Sequence, residues 1–301
     1  MNDIQLPALC LIGSPNKRAA VLDLAVEAEQ RGFAGLGCPG VGGNLALCSS
    51  LAHVTSTIPF WTSIQPIYLS IPLELGATAG HLHEVSGGRF RLGLGVSHAP
   101  MLDRLGVSTG RPLSDMRDYV AALHATERSS GPLPAILLAA LRDRMLDLAV
   151  EIADGAIWAN ASLSHTPTQV ERIPADRRAA MQLANMVPTV IDADREAARA
   201  VHRRTLGGYV ILRNYRNYWK SAGYDEEMTT IEQALEAGDS GAVTAAMSDR
   251  WLDDCTISGS AAQVRDQFSA WIATGVTPIA VMSSTSGGQA KAIRELFDAF
   301  A

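Results

Sequence analysis

A chain of 301 residues with 47% hydrophobic and 19% charged residues is long enough to bury a sizeable core. Its 25 Lys and Arg against 31 Asp and Glu leave a net charge of −6, which argues against nucleic acid as a partner, because polyanion binding needs clustered excess cations. No apolar run approaches the ~18 residues of a membrane span, MNDIQLPALCLIG lacks the basic start of an export signal, and the four Cys form no CxxC pair, so the expectation is a soluble cytoplasmic protein with neither disulfides nor a metal.

Short apolar runs alternate with amphipathic helical patterns, the signal for βα units. The first run is Ala8–Ile12, followed by a helix with Val21, Leu24, Ala25 and Ala28 on one face and Gly32 at its C-terminal cap. Ala34–Cys38 is a second strand, Leu45–Val54 a helix, Phe60–Ile64 a third strand, and Phe90–Leu94 a fourth after a helix ending near Glu84. Pro112 suits the first turn of a helix burying Leu113, Met116, Val120 and Leu123. A fifth strand lies near 134–139, and Met145, Leu148, Ala149 and Ile152 repeat helical spacing after it. Ala156–Trp158 is the sixth strand and Leu183–Ile191 the seventh, with a long helical region from Asp194 toward Lys220. A polar, helix-prone insertion covers about 225–254. Ser260 and Gln263 then match a capping box for a helix that turns Val264, Phe268, Trp271 and Ile272 inward. Pro278–Met282 is the eighth strand, and the last helix aligns Ile293, Leu296, Phe297 and Phe300.

Eight strands, each followed by helix, point to an α/β fold, a (β/α)8 TIM barrel with an insertion before the last strand, forming one domain over 1–301. An open, doubly wound sheet is the alternative. In the barrel, function sits where the strands end.

Several short motifs fail on context. Gly93-Leu94-Gly95 begins a dinucleotide fingerprint, but His98 stands where its third glycine belongs. Gly106-Val107-Ser108-Thr109-Gly110 matches a nucleophile elbow without the strand that must precede it. His81 and His83, two apart, would project from different faces of a helix, which disfavours a metal pair. Asn160-Ala161-Ser162 is a glycosylation sequon only in a secreted chain. The run HRRTLGGYVILRNYRNYWK, residues 202–220, reads best as outer helix with solvated cations and a buried aromatic seam. It also allows stacking on single-stranded nucleic acid, or cations at a barrel mouth holding an anionic cofactor.

GGRFRLGLGVSHAPM, RPLSDMRDYVAAL and PLPAILLAALRDRMLDLAVEIADGAIWANAS resemble the luciferase-like monooxygenase superfamily, closest to its F420-dependent oxidoreductase branch. AVEAEQRGFAGL and ISGSAAQVRDQFSAWIATGVTPIAV extend the likeness over most of the chain. The resemblance implies a barrel with an insertion, a small-molecule substrate and a homodimer. It implies coenzyme F420, a reduced 8-hydroxy-5-deazaflavin that passes a hydride to a C=N, C=C or carbonyl carbon, or the reverse reaction on an alcohol. FMN-dependent monooxygenation is the alternative.

By the same resemblance Ser63-Ile64 takes the place of a non-prolyl cis peptide behind the coenzyme ring. Gly95, Val96, Ser97 and His98 match the loop touching the coenzyme; Ala139, Ala140, Leu141 and Arg142 match a phosphate-binding loop, and Asn160 and Ser162 a further phosphate-contacting segment. Two departures stand out. GLGCPGVGGN puts Cys38, Pro39 and Gly40 where an acidic residue and a histidine are usual, and Arg142 replaces a glycine, either to bind phosphate or to fill its place. A barrel that has lost cofactor chemistry is therefore a third reading. His98 is the candidate catalytic group, because an imidazole exchanges protons near neutral pH, with a pocket-wall role equally open. Ser97 reads as a coenzyme contact rather than a nucleophile, Cys38 as a small buried residue, and Trp61 and Trp158 as core before pocket.

Overall fold

The computed structural model describes residues 5–41 and 43–301. Met1–Ile4, the start of the N-terminal segment read for an export signal, and Gly42 of GLGCPGVGGN lie outside the described residues.

The described strands are β1 (Ala8–Cys10), β2 (Leu36–Cys38), β3 (Phe60–Thr62), β4 (Gln65–Pro66), β5 (Phe90–Gly95), β6 (Ile136–Ala139), β7 (Gly155–Ala159), β8 (Gln182–Ile191), β9 (Ile257–Gly259) and β10 (Thr277–Ser283). They form one sheet in the order β10-β1-β2-β3-β5-β6-β7-β8-β9, and β10 also pairs with β8. The resolved registers are parallel, with Leu9 beside Leu36, Gly37 beside Trp61, Phe60 beside Phe90, Leu92 beside Ile136 and Leu137 beside Gly155. The fold is thus a closed (β/α)8 barrel, and its eight strands are the eight apolar runs. Two strands are additional. β4 resumes the path of β3 after a two-residue break and pairs with β5, while the short β9 hangs on β8.

By contacts the chain divides into two compact units. The first joins Ala8–Ile157 to Ile173–Ala184. Its helix Arg18–Gln30 buries Val21, Leu24, Ala25 and Ala28, the face that the spacing marks out. Two charged side chains fasten the turns leading into its strands. Glu29 accepts from the backbone N–H groups of Ser56, Thr57 and Ile58. Arg89 donates to the carbonyls of Ala52, Thr55, Ile58 and Ser86. Phe60 and Phe90 then meet at 5.7 Å between ring centroids.

The second unit is built chiefly of Trp158–Arg172 and Asn185–Ala301. The long helix expected from Asp194 toward Lys220 is two helices, Arg195–Val210 and Arg213–Ser221. The break falls at Leu212, whose backbone is extended and whose side chain is buried. Arg216 donates to the carbonyl of Val210, which the interruption leaves without a helical partner. Tyr215, Tyr218 and Trp219 are buried, and Trp219 stands edge-on to Trp251 at 4.8 Å. Arg203 pairs with Asp249, and Arg216 and Lys220 with Glu232. Within the basic and aromatic run, Tyr215, Tyr218 and Trp219 thus form a buried seam, Arg203, Arg216 and Lys220 are ion-paired, and Arg204 and Arg213 are exposed.

The insertion forms helices Asp225–Glu236, Ser240–Ala245 and Asp249–Cys255. Ser260 and Gln263 form the capping box of helix Ala261–Ala273. Among the described residues no helix is long and apolar enough to cross a membrane.

Candidate functional site

In the first unit the chain leaves β3 at Thr62, and the Ser63–Ile64 peptide is cis, as the resemblance implies. The Ser63 N–H donates to the carbonyl of Cys38 at 2.8 Å, which fixes the loop against β2. Ile64 turns its half-buried side chain toward Gly95 at the end of β5. A Cβ on Gly95 would lie 2.6 Å from Ile64 Cδ1 and 3.1 Å from the Ala139 Cβ, so any side chain there would push the end of Ile64 aside. Ser63, Ile64, Gly95 and Ala139 therefore meet in one cradle where β3, β5 and β6 end. Gly40 closes on it as well, since a Cβ there would lie 2.6 Å from the Ile64 carbonyl oxygen. A larger residue at that point in the β2 loop would have to displace backbone. Ser63 Oγ is buried and has no hydrogen-bond partner among the described residues.

Past Gly95, Val96, Ser97 and His98 are half-buried. Ser97 has φ +62°, a left-handed conformation uncommon outside glycine, and its Oγ lies 3.6 Å from Met101 Sδ. His98 opens the helix Ala99–Arg104, with its carbonyl accepting from the N–H groups of Met101 and Leu102. Burial draws its pKa below the ordinary imidazole value.

After β6, Ala139 and Leu141 are half-buried and Ala140 is buried. The Ala140 N–H already donates to the carbonyl of Ile157, so it is spent inside the sheet. Arg142 is exposed at the start of helix Asp143–Ile152, outside the buried interior. The cysteines behave as apolar packing. A hydrogen bond with Cys48, together with burial, raises the Cys38 thiol well above its ordinary pKa, and burial does the same to Cys10. Trp61 and Trp158 are also fully buried, and Trp158 donates to Gln169 Oε1.

Asn160 and Ser162 belong to the second unit, in the loop after β7. Asn160 has φ +56°; its N–H donates to Met186, its carbonyl accepts from Trp219 Nε1, and its Nδ2 is buried without a partner among the described residues. Ser162 has spent both donors, its N–H on Tyr218 Oη and its Oγ on Asp254 Oδ2. Asp254 also accepts from Ser164 N, Ser164 Oγ and Tyr224 Oη. Asn185 in β8 accepts from the Ala161 N–H through Oδ1. Sequence reading passes over Asn185, although one signal was present: an amide inside the apolar run Leu183–Ile191 that must be buried with it.

A sequence model of the luciferase-like monooxygenase family matches residues 8–278. The chain is 24% identical over 280 residues to the 5,10-methylenetetrahydromethanopterin reductase of Archaeoglobus fulgidus, covering 83% of this chain and 84% of that one. It is 25% identical over 297 residues to the 5,10-methylenetetrahydromethanopterin reductase of Methanolobus tindarius, covering 89% and 91%. Among solved structures, the coenzyme F420 dependent tetrahydromethanopterin reductase of Methanopyrus kandleri superposes with a TM-score of 0.71 at 18% identity, over 98% of this chain and 100% of that one. A family match across nine-tenths of the barrel's sequence, from β1 into β10, agrees with a cradle at the strand ends, and the chain belongs to the luciferase-like monooxygenase family of enzymes.

Proposed function

We propose that the protein is an F420-dependent oxidoreductase that moves a hydride between the deazaflavin and a C=N, C=C or carbonyl carbon of a small-molecule substrate. The observation that carries this reading is the cradle of Ile64, Gly95 and Ala139, beside a buried Ser63 Oγ with no partner among the described residues. A narrow apolar floor with one unused hydroxyl suits a planar heterocycle with polar edges. The relatives support the choice of coenzyme, since the M. kandleri reductase is named as F420 dependent.

When bound, the coenzyme supplies a two-electron hydride donor or acceptor. The chain then has to bind, orient and manage a proton. Ile64 and Ala139 support the ring and exclude water, and Ser63 Oγ answers a polar atom at its edge. Arg142 and the N-terminus of helix Asp143–Ile152 offer charge and backbone N–H groups to a phosphate. Proton transfer falls to His98. The β2 loop offers only Cys38, whose raised thiol pKa keeps it protonated. Burial keeps His98 neutral near neutral pH, so it accepts a proton from an alcohol more readily than it delivers one.

Titrating the purified protein with F420 and, separately, with FMN tests the reading. F420 is expected to bind in the micromolar range and more tightly than FMN. FMN binding alone would assign a flavin monooxygenase of the same family. Binding of neither would assign a barrel without cofactor chemistry.

A further inference from the structure

Within the first unit, Asp115 in the first turn of helix Pro112–Ala125 takes two hydrogen bonds on one carboxylate oxygen. Tyr68 Oη donates to its Oδ2 at 2.6 Å, and the Gly110 N–H donates to the same oxygen at 2.9 Å. The two donors belong to the two stretches of chain that leave the cradle. Tyr68 lies beyond Ile64, in the turn Ile67–Leu69 that follows β4. Gly110 ends the segment that runs out from Gly95 through Ser97 and His98. The approach is close, since a Cβ on Gly110 would lie 2.7 Å from both carboxylate oxygens. Burial, and then the Asp115 carboxylate, hold the Tyr68 phenol above its ordinary pKa, so it stays a donor. One turn further along the helix, Tyr119 Oη donates to the Ser70 carbonyl at 2.8 Å and steadies the first stretch a second time.

The second stretch has less to hold it. Its helix Ala99–Arg104 has six residues, too few to be stable by themselves, and of these it buries only Leu102. Where His98 stands therefore depends on what fixes the two ends of the segment, β5 at one and Asp115 at the other. We propose that Asp115 is a positioning residue: by tying Tyr68 and Gly110 to one oxygen, it sets the gap between the Ile64 wall and the His98 wall of the coenzyme cradle. The inference rests on the F420 reading above. Asp115 acts through the two stretches it joins, and a shift of about 1 Å in such a wall is enough to weaken binding and misalign a reactant.

The test compares three variants with the parent. Asp115→Ala removes the shared acceptor, Asp115→Asn leaves an amide oxygen for the same two donors, and Tyr68→Phe removes one donor. Dissociation constants for F420 are measured on each, and circular dichroism melts confirm the fold. A folded Asp115→Ala is expected to bind F420 about tenfold more weakly than the parent, with Asp115→Asn recovering most of the loss and Tyr68→Phe falling between. Hydrogen exchange at the Met101 and Leu102 amides, which donate to the His98 carbonyl, should quicken in Asp115→Ala. Protection and affinity equal to the parent's would overturn the inference and leave the F420 reading standing, as would parental affinity in Tyr68→Phe should Asp115→Ala fail to fold. Asparagine binding as weakly as alanine would assign the effect to charge, and this too overturns the inference. Failure of the unaltered protein to bind F420 overturns both. A merely structural Asp115 would lower the melting temperature and leave the affinity of the folded protein at the parent's value.

Discussion

Burial moves His98 and His202 in the same direction with different consequences. His98, half-buried after Gly95, has its pKa lowered by desolvation. If its neutral form takes the proton, alcohol oxidation should be flat above pH 6.5 and fall as pH drops through the lowered pKa. His98→Ala should remove that limb and cost about 10²–10⁴ in kcat; an unchanged profile would return His98 to the pocket wall. His202 is a core residue. Its Nε2 lies 3.2 Å from the Ile257 carbonyl, and burial lowers its pKa to about 4. Unfolding raises that pKa to an ordinary value near ~6.5, so the unfolded chain binds the proton first as pH falls. Stability is then full above about 6.5 and is lost progressively as pH falls toward about 4, by on the order of 3 kcal/mol. His202→Gln should flatten the slope of urea midpoint against pH across that window. A slope equal to the parent's would mean His202 does not carry the effect.

Helices and strands were legible where their periodicity is local. Val21, Leu24, Ala25 and Ala28 announce a buried helix face, and Ser260 with Gln263 announces a start, because each signal is complete within a turn or two. The break at Leu212 was not legible, since helical spacing continues through it and the partners that bury Leu212 and the aromatic seam lie elsewhere in sequence. Asp254 is the same case at longer range. It anchors Ser162 and Ser164 from about 90 positions away and adds Tyr224, a tie with no local signature. Asp254→Ala should leave three hydroxyls and an N–H short of an acceptor, costing about 1–3 kcal/mol or more. Hydrogen exchange at the Ser164 amide should accelerate, whereas protection equal to the parent's would show that the loop holds without Asp254. Gly208 makes the opposite case. It lies inside helix Arg195–Val210, and a Cβ there would meet nothing within 4 Å. Gly208→Ala should therefore stabilise by about 0.5–1 kcal/mol, read as a raised melting temperature.

The barrel itself was legible because eight apolar runs recur between amphipathic helices, and that rhythm is a property of the whole chain. The cradle was legible only through resemblance, since composition says nothing of how closely two strands approach. That closeness is what glycine at the β5 positions provides. A Cβ on Gly93 would sit 1.9 Å from the Thr62 carbonyl oxygen and 3.1 Å from Ile157 Cδ1. Thr62 Oγ1 also donates to the Gly93 carbonyl at 2.8 Å, so the two strands are locked at the one point where neither can retreat. The obstacle is backbone, and a rotamer change cannot relieve it. Gly93→Ala should therefore separate β3 from β5, break the Thr62 bond and cost roughly 3 kcal/mol or more, at the upper end for overpacking. Gly95→Ala meets instead the flexible end of Ile64. It should fold near the parent's urea midpoint and lose coenzyme affinity, because Ile64 must turn into the space proposed for the ring. If both variants lost stability equally and Gly95→Ala bound F420 like the parent, β5 would serve the barrel alone, and the cradle would have no claim on the coenzyme.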